Sequence, residues 1–159
     1  MNVYTVRQAT PLDAAAIADM VQQLLEEIMT ITGSMHFHVD LPAMVLRSEK
    51  FVTDGTYTVF IAMDRDGHTP AGLITLTETH SLYAGGAFGI IPELYVQPAF
   101  RCSGVGFLLM EAAKAFGCNR GWQRLEVTTP SLPAFERTFD FYRRYGFEVA
   151  GGKKMKVLL

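Results

Sequence analysis

The stretch from Ile90 to Phe107 constrains the fold of this chain more than any other. It begins with an apolar, β-branched and aromatic run that predicts a strand, and Pro98 ends that strand because proline brings no backbone donor to a ladder. A short basic turn with Gly104 and Gly106 follows, and a helical apolar run begins at Phe107. This order aims the amides of a helix N-terminus at one place, where amides and helix dipole together bind a phosphate or pyrophosphate. The glycines let backbone approach the anion without an intervening Cβ.

Two familiar phosphate-binding loops are excluded by the same residues. The P-loop requires a lysine directly after its last glycine, where this chain has Phe107 after Gly106, and the dinucleotide fingerprint GxGxxG requires a third glycine where Leu109 stands. The residues match instead the pattern Arg-x-x-Gly-x-Gly, which runs from Arg101 to Gly106. This pattern resembles the acyl-CoA pyrophosphate loop of the GNAT N-acetyltransferases, as does the preceding Leu-Tyr-Val-x-Pro.

A second block supports the same resemblance. Residues Phe141–Phe147 read FYRRYGF and resemble the FYxxxGF block that the family carries at this distance downstream. A glycine loop alone could be a tight structural turn, so the identification rests on both blocks in their order. The resemblance implies a GNAT fold over residues 1–159 as a single domain, with acyl-CoA as co-substrate.

Hydrophobic periodicity and turn residues predict the element order β-α-α-β-β-β-α-β-α-β-β. The predicted fold class is α/β (α+β), a mixed and mostly antiparallel sheet of about six to seven strands flanked by about four helices. The crossover through the helix after Gly104 needs one parallel strand pair. The resemblance implies that this pair splays apart, so that pantetheine lies along an exposed strand edge. The predicted strands are Asn2–Arg7, Tyr57–Met63, Ala71–Thr79, Ile90–Val96, Arg124–Thr128, Phe147–Val149 and Met155–Leu159, and Ser81–Gly89 is a predicted flexible connection.

Composition excludes several classes of function. At 159 residues, with 49% hydrophobic and 19% charged residues, the chain is long enough for one well-buried core. The net charge of −2 gives no global reason to bind nucleic acid. The N-terminus lacks the apolar core of a signal peptide, no apolar run reaches membrane-spanning length, and two cysteines, Cys102 and Cys118, do not make a disulfide framework. We expect a soluble cytoplasmic protein without nucleic-acid or membrane partners.

The resemblance assigns acyl-CoA to the strand and the loop. The backbone of Leu94, Tyr95 and Val96 is expected along the pantetheine arm, with Val96 near the acetyl carbonyl. Arg101 can add positive charge beside the pyrophosphate, although spacing alone gives equal weight to a solvated surface arginine. The amides expected on the pyrophosphate belong to Cys102, Ser103, Gly104, Val105, Gly106 and Phe107.

The chain departs from the family at one position. An asparagine often stands seven residues before the catalytic tyrosine, and here that position is Phe135. The connection from Thr128 to Glu136 is also longer than usual, which puts pantetheine contacts from this side in question. Thr129 and Ser131 are the candidates to replace the asparagine.

Two residues are predicted to be catalytic. By resemblance, Tyr142 faces the CoA sulfur as general acid, because a phenol with a pKa of about 10 can protonate a thiolate while staying neutral at pH 7. The alternative is one aromatic among several in a core helix. Glu93 is the only carboxylate on the central strand and is the candidate general base, on the face opposite Leu94 and Val96 unless a bulge re-aims it. A solvated or salt-bridged Glu93 has equal weight, and Glu126 is a weaker candidate.

The acceptor is expected at the first two helices and the loop between them. Glu26 and Glu27, with His36 and His38, could line its entrance, and paired acids would suit a cationic amine such as a polyamine or an aminoglycoside. An exposed helix face is the commoner fate of such an acid pair. The two histidines have no third ligand nearby, so we expect no metal.

The predicted function is transfer of acetyl from acetyl-CoA to a primary amine of a small molecule or peptide, by direct attack in a ternary complex. The alternatives are a non-catalytic acyl-CoA-binding or regulatory module, and an interaction domain in which the glycine loop is only a turn. Cys102 as an acyl-carrying nucleophile is weaker, because its loop is far from the thioester even though a helix N-terminus lowers a thiol pKa. A homodimer could form through the predicted strand Met155–Leu159.

Overall fold

The structure is a computed structural model that describes residues 3–35 and 37–159. Its contacts cluster into two compact units, Met1–Thr128 and Thr129–Leu159, and each is described by itself. The single-domain assignment stays a prediction. The strands are β1 (Thr5–Gln8), β2 (Thr58–Met63), β3 (Pro70–Ser81), β4 (Gly86–Ile91), β5 (Leu94–Val96) and β6 (Leu125–Val127). The helices are α1 (Ala14–Thr32), α2 (Leu41–Asp54), α3 (Val105–Asn119) and α4 (Glu136–Arg144), with 3₁₀ turns at Pro11–Asp13 and Pro98–Phe100.

The first unit contains a six-stranded mixed sheet. Its order is β1-β2-β3-β4-β6, and β5 pairs with β3 off this path. The pairs are antiparallel except β4 with β6, where Gly89 lies opposite Leu125 and Ile91 opposite Val127. The predicted mixed, mostly antiparallel sheet with one parallel pair is therefore confirmed.

The predicted central strand Ile90–Val96 is divided by a β-bulge. Thr77 of β3 lies opposite Ile90, whereas Ile74 lies opposite Leu94. Two residues of β3 thus face three residues of the other strand, the last of them Glu93, and this is the one-residue excess that defines a bulge. Pro92 stands inside the bulge, where its missing N–H breaks no ladder bond. β4 pairs with β6 up to Ile91, whereas β5 beyond the bulge pairs with β3 and not with β6. The loss of the parallel partner at this point agrees with the splayed pair that the resemblance implies.

The helices begin and end where local chemistry favours it. The Thr10 N–H donates to Asp13 Oδ2 at 2.8 Å in a capping box, and Pro11 occupies the first turn before α1. Gly33, with φ of 67°, ends α1 in the left-handed conformation that favours glycine. The Asp40 side chain caps α2 by accepting from the Ala43 N–H at 3.1 Å.

The core of the first unit lies between the sheet and these two helices. Ile17 and Met20 of α1 are at most 2% exposed and belong to one apolar cluster with Val59, Ile61 and Leu73 of the sheet. Burying each such side chain stabilises the fold by about 1.5–3 kcal/mol. Helix α3 packs on the opposite face, where its aromatic rings meet those of β2 and the α3–β6 connection; the pairs are Phe60–Phe116 and Phe116–Trp122.

One segment that was predicted as a connection contains a strand. The predicted connection Ser81–Gly89 is a turn at residues 82–85 followed by β4 from Gly86. Glycine is rare in strands, but a Cβ at Gly89 would collide with the Trp122 ring, so a glycine is required there for packing. The start of the first predicted strand, Asn2, lies outside the described residues.

The two predicted closing strands, Phe147–Val149 and Met155–Leu159, are wrong for this structure. Residues 147–159 form no strand, and the side chains of Met155, Val157 and Leu159 are exposed. An apolar run indicates that a segment can pack against a core, but a strand also needs a neighbouring ladder, and the structure gives these residues none. Pairing of Met155–Leu159 across a homodimer stays a prediction.

No helix within residues 3–35 and 37–159 combines the length and apolarity that crossing a bilayer requires.

Gly72 sets how closely β3 and β5 approach. A Cβ on this residue would lie 2.5 Å from the Tyr95 carbonyl oxygen and 3.1 Å from the Val96 Cα, which are both backbone atoms. We expect Gly72→Ala to lower the free energy of unfolding by about 1–3 kcal/mol, measured by urea denaturation. Gly152→Ala is the control, since its Cβ would meet nothing within 4 Å. Equal stability of the two variants would contradict the close approach.

Candidate active site

Strand β5 presents one edge to β3 and leaves its other edge without a strand partner among the described residues. The Thr75 N–H donates to the Glu93 carbonyl oxygen, and the Gln97 N–H donates to the Ala71 carbonyl oxygen, both at 2.9 Å. Backbone groups of successive strand residues alternate between the two edges. The amides and carbonyls of Leu94 and Val96 therefore face the unpaired edge, while those of Tyr95 belong to the ladder with β3.

The glycine loop joins β5 to α3. The chain makes a 3₁₀ turn at Pro98–Phe100, and two residues then take positive φ, Cys102 at 59° and Gly104 at 93°. The Ser103 hydroxyl donates to the Phe100 carbonyl oxygen at 2.5 Å, which fixes the turn. Helix α3 begins directly afterwards at Val105, and its first-turn amides have no intrahelical acceptors. Cys102 is exposed in this loop.

Arg101 is bound on three sides. Its Nη1 and Nη2 donate to Glu27 Oε1 and Oε2 at 2.9 and 2.6 Å, and its Nε donates to the Val96 carbonyl oxygen at 2.9 Å. The guanidinium also lies 5.7 Å from the centre of the Tyr95 ring. Arg101 thus ties the loop to β5 and to α1, joining a residue predicted for the cofactor to one predicted for the acceptor. Its place beside a pyrophosphate stays a prediction.

The structure separates the two acids predicted for the acceptor. Glu27 pairs with Arg101, whereas Glu26 is exposed and accepts from Gln22 Nε2 at 2.9 Å. Successive helix residues point about 100° apart, so adjacent carboxylates on α1 do not face one target. His38 is exposed in the loop after α1, and His36 lies outside the described residues. Residues 3–35 and 37–159 contain no group of three side chains placed to hold a metal.

Sequence reasoning missed a polar stripe on α1. Asp19, Gln23 and Glu27 stand four residues apart, and Gln23 Nε2 donates to Asp19 Oδ2 at 2.8 Å. The Tyr95 hydroxyl, on β5, donates to Gln23 Oε1 at 3.2 Å. The sequence did contain a signal for this stripe: polar residues spaced by four lie on one side of a helix.

Glu93 is held inside a hydroxyl network at the end of the bulge. Its Oε1 accepts from the Tyr57 hydroxyl at 3.2 Å, and its Oε2 accepts from the Thr75 hydroxyl. Burial raises the pKa of the Glu93 carboxyl, and the hydrogen bonds from Thr75 and Tyr57 partly offset that rise. The side chain shares the face of Tyr95, as strand alternation predicts. The alternatives of a solvated or ion-paired Glu93 do not fit this part-buried group. Sequence reasoning missed Tyr57 and Thr75.

Glu126, the weaker candidate base, has a different environment. Its carboxylate pairs with Arg124 and accepts from the Tyr83 hydroxyl at 3.4 Å. Such a partly exposed ion pair contributes little energy to stability.

The second unit contains Tyr142 on α4. Tyr142 is 6% exposed, and its ring packs edge-on against Phe141 and Phe147 at centroid distances of 5.5 and 5.4 Å. Burial raises the pKa of the phenol above its ordinary value, so it stays protonated at neutral pH. Phe135 precedes α4 as its N-cap residue, and its N–H donates to the Ser131 carbonyl oxygen at 3.3 Å.

Comparisons with known proteins decide the family. A family model for the acetyltransferase (GNAT) domain matches residues 55–149. The aminoglycoside N(6')-acetyltransferase type 1 of Stenotrophomonas maltophilia is 32% identical over 147 residues, covering 91% of this chain and 86% of that protein. This chain belongs to the GNAT acetyltransferase family. As a GNAT protein it is an acyl-CoA-dependent N-acetyltransferase.

Solved structures of GNAT proteins share the fold. AAC(6')-Iy, solved with the bisubstrate analogue CoA-S-monomethyl-acetylneamine, matches with a TM-score of 0.78 at 20% identity, covering 99% of both chains. A predicted acetyltransferase from Clostridium acetobutylicum, solved with acetyl-CoA, matches with a TM-score of 0.78 at 13% identity, covering 97% of this chain and 96% of its own. At these identities the likeness concerns the GNAT fold alone.

Proposed function

We propose that this GNAT protein transfers acetyl from acetyl-CoA to a primary amine of a small molecule, by direct attack of the amine in a ternary complex. The observation that carries the proposal is the bulge before β5, after which one edge of β5 has no strand partner in the described part of the chain. The Arg101 Nε–Val96 O bond of 2.9 Å ties that edge to the glycine loop at the start of α3. A strand edge and a helix N-terminus side by side suit an extended thioester arm that ends in a pyrophosphate.

Each part of acetyl-CoA is assigned to one part of this surface. The amides of residues 102–107 would bind the pyrophosphate, because Cys102 and Gly104 turn the backbone so that the first turn of α3 follows at once. Leu94 and Val96 would hydrogen-bond the pantetheine amides, and the Val96 N–H would stabilise the developing oxyanion. Arg101 would add positive charge near the pyrophosphate, at the expense of its pairing with Glu27.

The proposed chemistry transfers one acyl group and two protons. The acceptor ammonium first loses one proton to solvent, and the neutral amine nitrogen then attacks the thioester carbonyl carbon, so that the C–N bond forms and the C–S bond breaks. Glu93 takes the proton that the amine loses, and its raised pKa makes it a better base near neutral pH than an exposed carboxylate. Tyr142 gives a proton to the departing CoA thiolate.

The acceptor class comes from the relatives and from charge. The curated relative at 32% identity is named as an aminoglycoside N(6')-acetyltransferase, and aminoglycosides carry several amines that are cationic at neutral pH. The α1 helix presents exposed acids, Asp19 and Glu26, and the chain has a net charge of −2. These charges favour approach of a cationic small molecule. We therefore propose an aminoglycoside-type polyamine as the acceptor.

Thiol release from acetyl-CoA tests this function. We expect CoA release when an aminoglycoside with a 6′-amine is added, and background release with the matched aminoglycoside that carries a 6′-hydroxyl, since only the amine can form the amide. A product heavier by one acetyl group, seen by mass spectrometry, identifies the reaction. Background release with aminoglycosides, polyamines and amino-terminal peptides alike would support the non-catalytic acyl-CoA-binding module instead.

Tyr142→Phe tests the general acid. Loss of the phenol should lower kcat by about 10²–10⁴-fold, the range typical of a lost acid or base, while acetyl-CoA affinity changes little. The control is Tyr145→Phe, which removes a phenol from the end of the same helix and should retain turnover. If Tyr142→Phe turns over at the wild-type rate, Tyr142 is a core aromatic and the acid role is wrong.

A further inference from the structure

Thr75 is an unusual residue for its position. It lies on β3 with no exposed surface, and it is the one fully buried polar side chain among the described residues. A buried hydroxyl is tolerated when hydrogen bonds replace the water it has lost. Thr75 makes two such bonds to one residue: its Oγ1 accepts from the Glu93 N–H at 2.9 Å and donates to Glu93 Oε2. The backbone and the carboxylate of Glu93 are both fixed by this single hydroxyl.

This arrangement follows from the bulge. In a regular antiparallel pair, Thr75 and Glu93 would exchange two backbone bonds. One of them is present, from the Thr75 N–H to the Glu93 carbonyl oxygen at 2.9 Å. The return bond from the Glu93 N–H goes to the Thr75 hydroxyl instead. A valine has the same shape and strong β-propensity, so it would pack equally well. It would, however, leave the Glu93 N–H without an acceptor and the Glu93 Oε2 without a donor.

Tyr57 holds the second carboxylate oxygen from a different element. Its hydroxyl donates to Glu93 Oε1 at 3.2 Å, and its ring packs on Phe51 at a centroid distance of 5.1 Å. Burial and the nearby charge of Glu93 raise the pKa of the Tyr57 phenol, so Tyr57 remains a donor throughout the range in which a carboxyl titrates.

In the part of the chain that the structure describes, the hydroxyls of Tyr57 and Thr75 are the side-chain partners of the Glu93 carboxylate. On its own strand, the Tyr95 hydroxyl is directed to Gln23 of α1. The Glu27 charge on α1 is paired with Arg101, and α2 contributes the apolar Met44 and Val52 to the neighbouring core. Within residues 3–35 and 37–159, Tyr57 is accordingly the titratable side chain that hydrogen-bonds the carboxylate.

We propose that Tyr57 and Thr75 are positioning residues, which pin the two carboxylate oxygens of Glu93 at the bulge and set the pH at which this carboxylate takes up a proton. The inference rests on the proposed function for the role of Glu93 as base, but the pinning itself is a property of the folded protein. Both residues would act through Glu93, which their hydroxyls contact. Because each hydroxyl donates to the ionised form, removal of either should favour protonation of Glu93.

The test follows the Glu93 carboxyl directly. Protein labelled with ¹³C at glutamate side-chain carboxyls is titrated by NMR, with Glu93→Gln used to assign the signal. Thr75→Val and Tyr57→Phe should each raise the pKa of Glu93 by about one pH unit, the size expected for loss of a hydrogen bond to a charged group. Thr75→Ser restores the hydroxyl and should return the pKa close to the wild-type value. Thr77→Val, on the same face of β3, is the control and should leave the pKa unchanged.

The pH profile of activity is the second readout. In the active enzyme, the acidic limb of kcat/KM should move to higher pH with the Glu93 signal in Thr75→Val and Tyr57→Phe, and back again in Thr75→Ser. An unmoved Glu93 signal in Tyr57→Phe, which leaves the bulge backbone intact, would overturn the inference even if Thr75→Val failed to fold. A shifted signal with an unmoved acidic limb would overturn the role in catalysis. Absence of thiol release from wild type would contradict the proposed function. The NMR titration would still test whether Tyr57 and Thr75 hold the Glu93 carboxylate, because it does not depend on activity.

Discussion

The one-residue bulge between β4 and β5 is the feature on which the rest of the site depends. Without it, the strand from Gly86 to Val96 would keep one register with β3 and stay beside β6 throughout. The extra residue instead lets β5 leave β6, and the same step brings Glu93 opposite Thr75. The β5 edge, which has no strand partner among the described residues, and the part-buried Glu93 carboxylate therefore have a common origin. Both come from a register shift that Pro92 tolerates because it has no N–H to lose.

The glycine loop extends this arrangement towards α3. Arg101 connects the Val96 carbonyl oxygen to Glu27 on α1, so the loop, the strand and the helix that lines the sheet are joined by one guanidinium. The pair is partly exposed, with 40% and 30% of the two side chains accessible, so its direct contribution to stability is small. Its two N–H···O bonds add geometric specificity to the contact between the loop and α1.

The sequence predicted the parts of the site that depend on local chemistry. The Arg-x-x-Gly-x-Gly loop, the strand before it and the helix after it follow from glycine, proline and periodicity, and all three are present. The network around Glu93 could not be predicted, because Thr75 and Tyr57 look like ordinary strand residues until a register shift of one residue is known. The Arg101–Glu27 pair, 74 residues apart in sequence, is likewise set by tertiary structure. The closing strands failed because an apolar run does not reveal whether a partner ladder exists.

Calorimetry with acetyl-CoA tests the central claim, that the β5 edge and the glycine loop bind the acyl donor. Wild type should bind, and Gly104→Ala should bind about tenfold more weakly or worse, equivalent to about 1.4 kcal/mol, because a Cβ at this residue keeps the backbone from the pyrophosphate. Gly121→Ala is the matched control: Gly121 also has positive φ, 74° against 93° for Gly104, but lies beyond the other end of α3. Its affinity should equal that of wild type. Absence of binding by wild type, or equal affinity in all three proteins, would contradict the account.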